Sequence, residues 1–178
     1  MSRPLHGKRV AILVTDGFEQ VELTGPKEAL EKAGAQVDIV SARPGQITGW
    51  HHTTPADRFP VTHTFDRIQV ENYAGLMLPG GVVNADNIRQ DEMAQELVRD
   101  AARANKPIAV ICHGPWLLIS ADLVKGKRIT SWPSLRDDLV NAGAEWVDEP
   151  VVVDGHLISS RKPADLAAFN HALIEALR

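Results

Sequence analysis

The sequence of 178 residues contains one cysteine, Cys112, so no intramolecular disulfide can hold the fold together. It contains one tyrosine and no apolar run long enough to cross a membrane. The 19 basic residues are not clustered and the net charge is −4, which argues against nucleic acid or an anionic membrane as a partner. The first residues lack the apolar stretch and cleavage site of a secretory signal. We therefore expect a cytoplasmic protein, because a free thiol stays reduced in that compartment.

The composition is that of a globular protein, with 44% hydrophobic and 24% charged residues. The length predicts a single domain spanning residues 1–178, with enough apolar residues for a large core. No repeat or low-complexity segment interrupts it.

Apolar runs alternate with helical patterns along the first two thirds of the chain. The runs predict buried strands at residues 8–14, 35–41, 74–78 and 107–111, and helices are predicted at residues 19–33, 91–104 and 116–121. Pro26 is expected to kink or restart the first helix, and Asp91 is expected to cap the second. Strand–helix–strand units of this kind predict a parallel sheet with right-handed crossovers.

The remaining segments are less regular. Residues 43–67 predict a loop with short antiparallel strands near 46–51 and 60–63, and its histidines His51, His52 and His63 fit a surface loop better than a metal site. A short strand is expected at 126–130, a helix capped by Ser134 through residue 142, and a return to the sheet at 144–147. Residues 151–159 predict a hairpin around Asp-Gly, and residues 164–177 a closing helix after Pro163.

The most informative stretch is residues 107–116, in which a buried strand is followed by Cys112, His113, Gly114 and a helix that opens at Pro115. This order is typical of a nucleophile elbow, a sharp turn that lifts a reactive side chain above the carboxyl edge of a parallel sheet. The alternative is a buried structural cysteine that behaves as a small hydrophobe. The adjacent histidine favours the functional interpretation.

A free cysteine has a pKa of about 8.5, so only about 3% is thiolate at pH 7. The N-terminus of the following helix and a neighbouring imidazolium both favour the anion, so we expect a lowered pKa for Cys112. Gly80 and Gly81 directly follow another predicted strand. Glycine there lets backbone N–H groups point over the sheet edge, as an oxyanion site requires, although a plain tight turn is equally compatible with the dipeptide.

Several segments together resemble the ThiJ/PfpI family of peptidase-like and general stress proteins. The segments are GFEQVEL (17–23), LPGG (78–81), ICHGP (111–115), DDLVNAGAEWVDEPVVVDG (137–155) and SSRKPADL (159–166). The resemblance runs nearly end to end. It implies a flavodoxin-like α/β sandwich of the class I glutamine-amidotransferase-like superfamily, with a mostly parallel sheet between helices. It also implies a homodimer or higher homo-oligomer with the site near the interface.

The resemblance also implies roles for individual residues. Cys112 matches the nucleophile, His113 its adjacent base, and Glu19 the carboxyl that hydrogen-bonds the sulfur. Such a carboxyl must be protonated beside a thiolate, so we expect a raised pKa for Glu19. Gly81 and the N–H of His113 match the oxyanion hole, and Gly80 and Gly114 are expected to belong to the same binding site. The resemblance further implies that an acidic residue of a neighbouring subunit orients His113. Asp86 is the acidic residue nearest to the expected position.

Together with these residues, the resemblance implies a stress-protective cysteine-nucleophile enzyme that acts on reactive carbonyls or glycation adducts, and we expect no metal or cofactor. Peptide hydrolysis is the first alternative, and a non-catalytic redox sensor or chaperone that uses the same thiolate is the second. A glutaminase is disfavoured because neither His156 nor His171 is followed by the glutamate that completes its triad. Trp116 and Trp132 are expected to pack in the core.

Overall fold

A computed structural model describes residues 2–178. Its central sheet has seven strands, which are β1 (Arg9–Leu13), β3 (Gln36–Ser41), β6 (His63–Thr64), β7 (Gly75–Leu78), β8 (Ile108–Ile111), β11 (Val151–Asp154) and β12 (Leu157–Ser160). Their order across the sheet is β11-β12-β8-β7-β1-β3-β6, and every neighbouring pair is parallel except the β11–β12 hairpin.

Two small sheets lie beside the central one. One joins β2 (Phe18–Glu19), β4 (Gln46–His51) and β5 (Thr54–Pro60), and the other joins β9 (Arg128–Ile129) and β10 (Glu145–Trp146). The antiparallel β4–β5 pair forms a hairpin arm, and β2 attaches that arm to the start of the first helix.

Helices cover both faces of the central sheet. They are α1 (Gln20–Lys32), α2 (Val82–Ile88), α3 (Glu92–Arg103), α4 (Pro115–Ser120), α5 (Arg136–Asn141) and α6 (Leu166–Leu177). Successive residues of β1 face opposite sides, so Ala11 and Leu13 pack with the α2–α5 side while Val10 and Ile12 pack with α1 and α6. Each large buried aliphatic side chain contributes roughly 1.5–3 kcal/mol to such a core. The predicted fold class is confirmed.

The helices begin and end close to where the sequence predicts them, with three differences. The helix α1 continues through Pro26 without restarting. Ser134 lies in a 3₁₀ turn, Pro133–Leu135, and caps no helix, since α5 begins at Arg136 without a side-chain cap. The helix α2 was not predicted. Asp91 caps α3 as expected, because its Oδ1 accepts hydrogen bonds from the N–H groups of Met93 and Ala94.

Two strand predictions are wrong in their partners. The strand at 46–51 pairs with Thr54–Pro60, whereas His63–Thr64 joins the edge of the central sheet in parallel with β3. The return predicted at 144–147 pairs with β9 in a separate two-stranded sheet. Within residues 2–178, no helix has the length and apolar character needed to span a membrane.

Candidate active site

Cys112 occupies the sharp turn between β8 and α4, at the carboxyl edge of the central sheet. Its backbone has φ +63°, a left-handed conformation that costs a residue other than glycine roughly 1–2 kcal/mol. The turn is held in place by its neighbours: the Cys112 N–H donates to the Ser160 carbonyl at 3.1 Å, and the Cys112 carbonyl accepts from the Trp132 N–H at 2.9 Å. The predicted elbow is therefore present, and the strain lies at the cysteine itself.

The two glycines after β7 let a second loop approach the cysteine closely. A Cβ on Gly80 would lie 2.8 Å from the Cys112 Cβ, and a Cβ on Gly81 would lie 2.5 Å from the Glu19 nitrogen. Gly81 also has φ +82°. The N–H groups of Gly81 and His113 lie close to the cysteine sulfur and act to lower the pKa of its thiol. Two amides directed at the same point are suited to stabilising an anion, and their role as an oxyanion site stays a prediction.

Gly114 differs from the other two glycines because it packs against the strands below the turn. A Cβ at this position would lie 2.6 Å from Val110 Cγ2 and 3.0 Å from the Leu78 carbonyl oxygen. Gly114 therefore lets the elbow pack tightly against β7 and β8, as the sequence suggested, and its N–H closes the turn on the Ile111 carbonyl at 2.9 Å.

The carboxyl group beside the sulfur belongs to Glu22, and the prediction of Glu19 for this role is wrong. Glu22 is fully buried, and its Oε1 accepts a hydrogen bond from the Gly80 N–H at 2.9 Å. Its Oε2 is buried without a partner in hydrogen-bond geometry, and the Cys112 side chain is the group beside it. Burial raises the pKa of Glu22 to about 8, so the group is a carboxylic acid at neutral pH and can donate a hydrogen bond to the sulfur.

The difference between the two glutamates has a backbone cause. Glu19 is the last residue of β2 and has extended angles, φ −68° and ψ 116°, just before α1 begins. Its side chain therefore leaves the chain in another direction from that of Glu22, which lies in the first helical turn. Glu19 Oε2 accepts the His52 N–H at 3.1 Å, so this carboxylate holds the tip of the β4–β5 arm.

His113 lies against the sulfur and between two aromatic rings. Its Nδ1 is 3.3 Å from Cys112 Sγ, its ring stacks on Trp132 with centroids 5.9 Å apart, and the Trp116 ring meets it edge-on at 5.4 Å. Burial lowers the pKa of His113, which favours the neutral imidazole as a proton acceptor. Trp132 is 38% exposed, so the prediction that it packs in the core is wrong.

Asp86 is not brought to His113 within one chain. It lies on the exposed side of α2, whereas its neighbour Asn84 is fully buried beneath the same helix. No carboxylate of residues 2–178 lies within ion-pair distance of the His113 ring. The role predicted for Asp86 across a subunit interface stays a prediction.

The expected lowering of the Cys112 pKa is wrong for this chain. The residue is only 7% exposed, and burial raises the pKa of its thiol, as does the negative charge of Glu22 when that group is ionised. The amides of Gly81 and His113 act in the opposite direction but do not outweigh burial. Thiolate formation is therefore favoured only while Glu22 keeps its proton.

A pocket of about 290 Å³ opens above the sulfur. Its wall comes from several elements and consists of Glu19, Glu22, His52, Thr53, Gly81, Val82, Cys112, His113, Trp132 and Pro163. A larger depression of about 560 Å³ lies along α3 and contains neither cysteine nor histidine. The smaller pocket is therefore the candidate active site.

Sequence reasoning missed the arm tip, residues 52–53, because nothing in its composition shows that the arm folds back over the elbow. Glu22 carried a usable signal: it lies in the buried stripe of α1 with Leu23, Pro26 and Leu30. An acid in the apolar face of a helix indicates a buried and therefore specialised carboxyl group.

Within residues 2–178, no three histidine, cysteine or acidic side chains form a cluster that could hold a metal ion.

The comparisons with known proteins assign nearly the whole chain to one family. The model of the DJ-1/PfpI family matches residues 8–176. A relative named deglycase PH1704, from Pyrococcus horikoshii, is 42% identical over 170 residues, which cover 96% of this chain and 99% of that protein. A Bacillus subtilis relative, YraA, which is provisionally named a cysteine protease, is 38% identical over 96% of this chain and 99% of its own length.

Among solved structures, a two-domain protein from Anabaena variabilis with DJ-1/ThiJ/PfpI-like and ferritin-like domains superposes with a TM-score of 0.89 at 33% identity. The superposition covers 96% of this chain and 48% of that protein, so this chain spans about half of its length. The match of sequence over nearly all its residues and the match of fold agree, and the chain belongs to the DJ-1/PfpI family.

Proposed function

We propose that this protein is a stress-protective, cysteine-dependent enzyme that acts on small reactive carbonyl compounds or on the adducts they form with proteins. The observation that carries the proposal is the position of Cys112 on a strained turn in a small pocket, beside the Glu22 carboxyl and two backbone amides. A strained nucleophile with pre-positioned anion donors is the arrangement that addition to a carbonyl carbon requires.

In this mechanism the Cys112 sulfur attacks the aldehyde carbon, and the carbonyl π electrons move to the oxygen. That oxygen lies beside the N–H groups of Gly81 and His113, which stabilise its negative charge. His113 is close enough to the sulfur, at 3.3 Å, to accept the thiol proton, and its lowered pKa keeps it free to do so. Glu22 donates its hydrogen bond to the thiolate before the attack.

With methylglyoxal the net reaction is the addition of one water to give lactate. After the attack, His113 returns the thiol proton to the C1 oxygen, which gives a neutral hemithioacetal and frees the imidazole. His113 then takes the proton from C1 and delivers it to C2, while the C1 hydroxyl proton passes to the C2 oxygen. C1 thereby becomes a thioester and C2 an alcohol. Water then attacks the thioester carbon and the Cys112 sulfur leaves with a proton. No external oxidant or reductant is needed, because C1 is oxidised while C2 is reduced.

The size of the pocket supports a small carbonyl over an extended peptide. A volume of about 290 Å³ holds a three-carbon dicarbonyl or one modified side chain, and the arm tip forms one of its walls. The name of the Pyrococcus horikoshii relative, a deglycase, is in agreement with this substrate class. Peptide hydrolysis is the second candidate, because the Bacillus subtilis relative carries a protease name.

The test compares lactate formation from methylglyoxal by the wild type and by Cys112→Ser. We expect turnover in the wild type and a loss of at least about 100-fold in the variant, since serine is a much weaker nucleophile at neutral pH. Glycated peptides and fluorogenic peptides are assayed in parallel to separate adduct removal from hydrolysis. If turnover is equal in the two proteins, or absent from both, with all three substrates, the proposal of a cysteine-dependent enzyme is rejected. That result favours a redox sensor that uses the same thiol.

We also infer that the protein is a homo-oligomer, in which Asp86 reaches His113 of a neighbouring subunit. Apolar side chains near the pocket are exposed in the single chain: Val21 at 37%, Val82 at 53% and Val83 at 40%. A mixture of Cys112→Ser and Asp86→Asn chains tests this idea. If Asp86 acts across the interface, an equimolar mixture regains about a quarter of the wild-type activity, because about half of its dimers are mixed and each mixed dimer contains one intact site of two. No recovery contradicts it.

A further inference from the structure

Among residues 2–178, the walls of the active-site pocket carry two carboxyl groups and no lysine or arginine to balance them. The two carboxyl groups belong to Glu19 and Glu22. Glu22 is uncharged at neutral pH because burial raises its pKa to about 8. The remaining carboxylate, Glu19, is therefore the full negative charge that a substrate meets on entry.

Glu19 is also fixed in place rather than free to swing into solvent. Its side chain is 14% exposed, its Oε2 accepts the His52 N–H, and its Oε1 lies 3.9 Å from His52 Nδ1. The backbone around it is held as well, since β2 pairs Glu19 with Trp50 of the arm. A carboxylate that is partly removed from water and cannot move away acts on its surroundings with little screening.

The neighbouring residue reinforces the same attachment. The Gln20 side chain donates to Asp57 Oδ2 at 2.7 Å, and its Oε1 accepts the Asp57 N–H at 2.9 Å. This reciprocal pair fixes the arm at a second point, independently of Glu19. Exchanging Glu19 for a neutral residue therefore removes the charge without releasing the arm.

We propose that Glu19 is a specificity-determining residue, which admits neutral and cationic carbonyl compounds to Cys112 and disfavours those that carry a carboxylate. The inference rests on the proposed function in one respect only, namely that Cys112 is the reacting group. One fixed charge near a partly desolvated site changes the rate ratio of two probes of different charge by roughly three- to tenfold.

The test uses two alkylating agents of nearly equal size, neutral iodoacetamide and anionic iodoacetate, at pH 7. The ratio of their second-order rates with Cys112 is measured in the wild type and in Glu19→Gln. Any change in the thiolate fraction affects both reagents equally and cancels in the ratio. Glu28→Gln, which removes an exposed charge from the same helix, is the matched control.

We expect the preference for iodoacetamide over iodoacetate to fall roughly three- to tenfold in Glu19→Gln. The preference should stay within twofold of the wild type in Glu28→Gln. It should also be kept in Glu19→Asp, because this variant retains the charge. The difference between the wild type and Glu19→Gln also shrinks when the salt concentration is raised from 0.05 M to about 1 M, a dependence that a purely structural role would not produce. A neutral aldehyde, methylglyoxal, and an anionic one, glyoxylate, are then compared for their ability to protect Cys112 from alkylation. We expect the difference in protection between the two aldehydes to be smaller in Glu19→Gln than in the wild type.

An unchanged ratio in Glu19→Gln overturns this inference, and so does an equal change in Glu28→Gln. If both reagents label Cys112 but the ratio of their rates is the same in Glu19→Gln as in the wild type, the proposed function stands and only the inference about Glu19 is rejected. If neither reagent labels Cys112 in the wild type, the thiol is inaccessible and both proposals fall together.

Discussion

Replacing Glu22 by glutamine tests the central electrostatic feature of this site through folding stability alone. Glutamine has the same shape as the protonated glutamic acid but cannot ionise. In the unfolded chain a glutamate titrates near pH 4.5, whereas burial raises the pKa of Glu22 to about 8 in the folded protein. Between those values the folded state therefore binds one proton more than the unfolded state, and raising the pH destabilises the wild type relative to Glu22→Gln.

The size of the effect follows from the two pKa values. A difference of about 3.5 pH units corresponds to about 5 kcal/mol between the protonation states. The contribution is fully present below about pH 4.5, decreases by about 1.4 kcal/mol for each pH unit above it, and is lost above about pH 8. Between pH 5 and pH 7.5 the stability of the wild type relative to Glu22→Gln should fall by about 3 kcal/mol.

Urea unfolding of both proteins at several pH values between 5 and 7.5 measures this difference. The range stays below the ordinary pKa of cysteine, about 8.5, so that ionisation of the unfolded thiol does not contribute. His113 titrates in both proteins and cancels in the comparison. Glu28→Gln serves as the control, because it removes an exposed carboxylate rather than a buried one. Curves for the wild type and Glu22→Gln that stay parallel within 0.5 kcal/mol, a margin set by the usual extrapolation error, would refute the reasoning.

Three further predictions concern strain and packing. Gly80→Ala should cost about 2–4 kcal/mol by urea unfolding and abolish thiol labelling, since its Cβ would meet Cys112, whereas Gly155→Ala, with φ +57° and open space around it, should cost only about 1 kcal/mol. Cys112→Gly should be at least as stable as Cys112→Ala, by up to about 1 kcal/mol, because glycine tolerates φ +63°; a clearly less stable glycine variant contradicts strain at the elbow. Tyr73→Phe should destabilise the protein by about 1.5–3 kcal/mol at pH 7, because the Tyr73 hydroxyl donates to the buried Asp38 carboxylate at 2.7 Å, and a loss below 0.5 kcal/mol contradicts this. Burial opposes the charge of Asp38, but hydrogen bonds from Tyr73 and Arg9 keep its pKa below its usual range, so its contribution is present above about pH 4 and is lost as the pH falls further.

The architecture was largely predictable from the sequence because its signals are local. Apolar runs such as residues 107–111 exclude solvent on both faces, and the helical patterns between them leave few arrangements other than a parallel sheet with crossovers. The elbow was predictable for the same reason, since the strand, the cysteine and Pro115 are adjacent in the chain. The partners of short strands were not, because β6 and β10 have two residues each and too little pattern to select a partner.

The errors at the site arise because Cys112 is contacted by residues that lie far from it in the chain. Two glutamates, Glu19 and Glu22, are candidates for the contact, and the position at which β2 ends and α1 begins decides which of them faces Cys112. The tip of the arm, at His52, reaches the pocket only because β2 pairs with β4. A pattern in the sequence identifies the type of group that the chemistry needs, but the choice between neighbouring residues depends on packing.

The incorrect pKa direction for Cys112 shows which force dominates at this turn. The N-terminus of a helix stabilises a nearby anion by roughly 0.3–1 kcal/mol, and α4 has only six residues. Burial can raise the pKa of an acid by several pH units, each equivalent to about 1.4 kcal/mol, so it prevails over the helix. The thiolate therefore depends on a protonated Glu22, and the two groups share their protons as a pair. Glu22 loses its proton first, near pH 8, and its negative charge then opposes ionisation of the thiol. We accordingly expect the alkylation rate of Cys112 to rise at a lower pH in Glu22→Gln than in the wild type, because glutamine never carries that charge. A midpoint that is the same in both proteins contradicts the coupling, because an isolated thiol would titrate independently of residue 22.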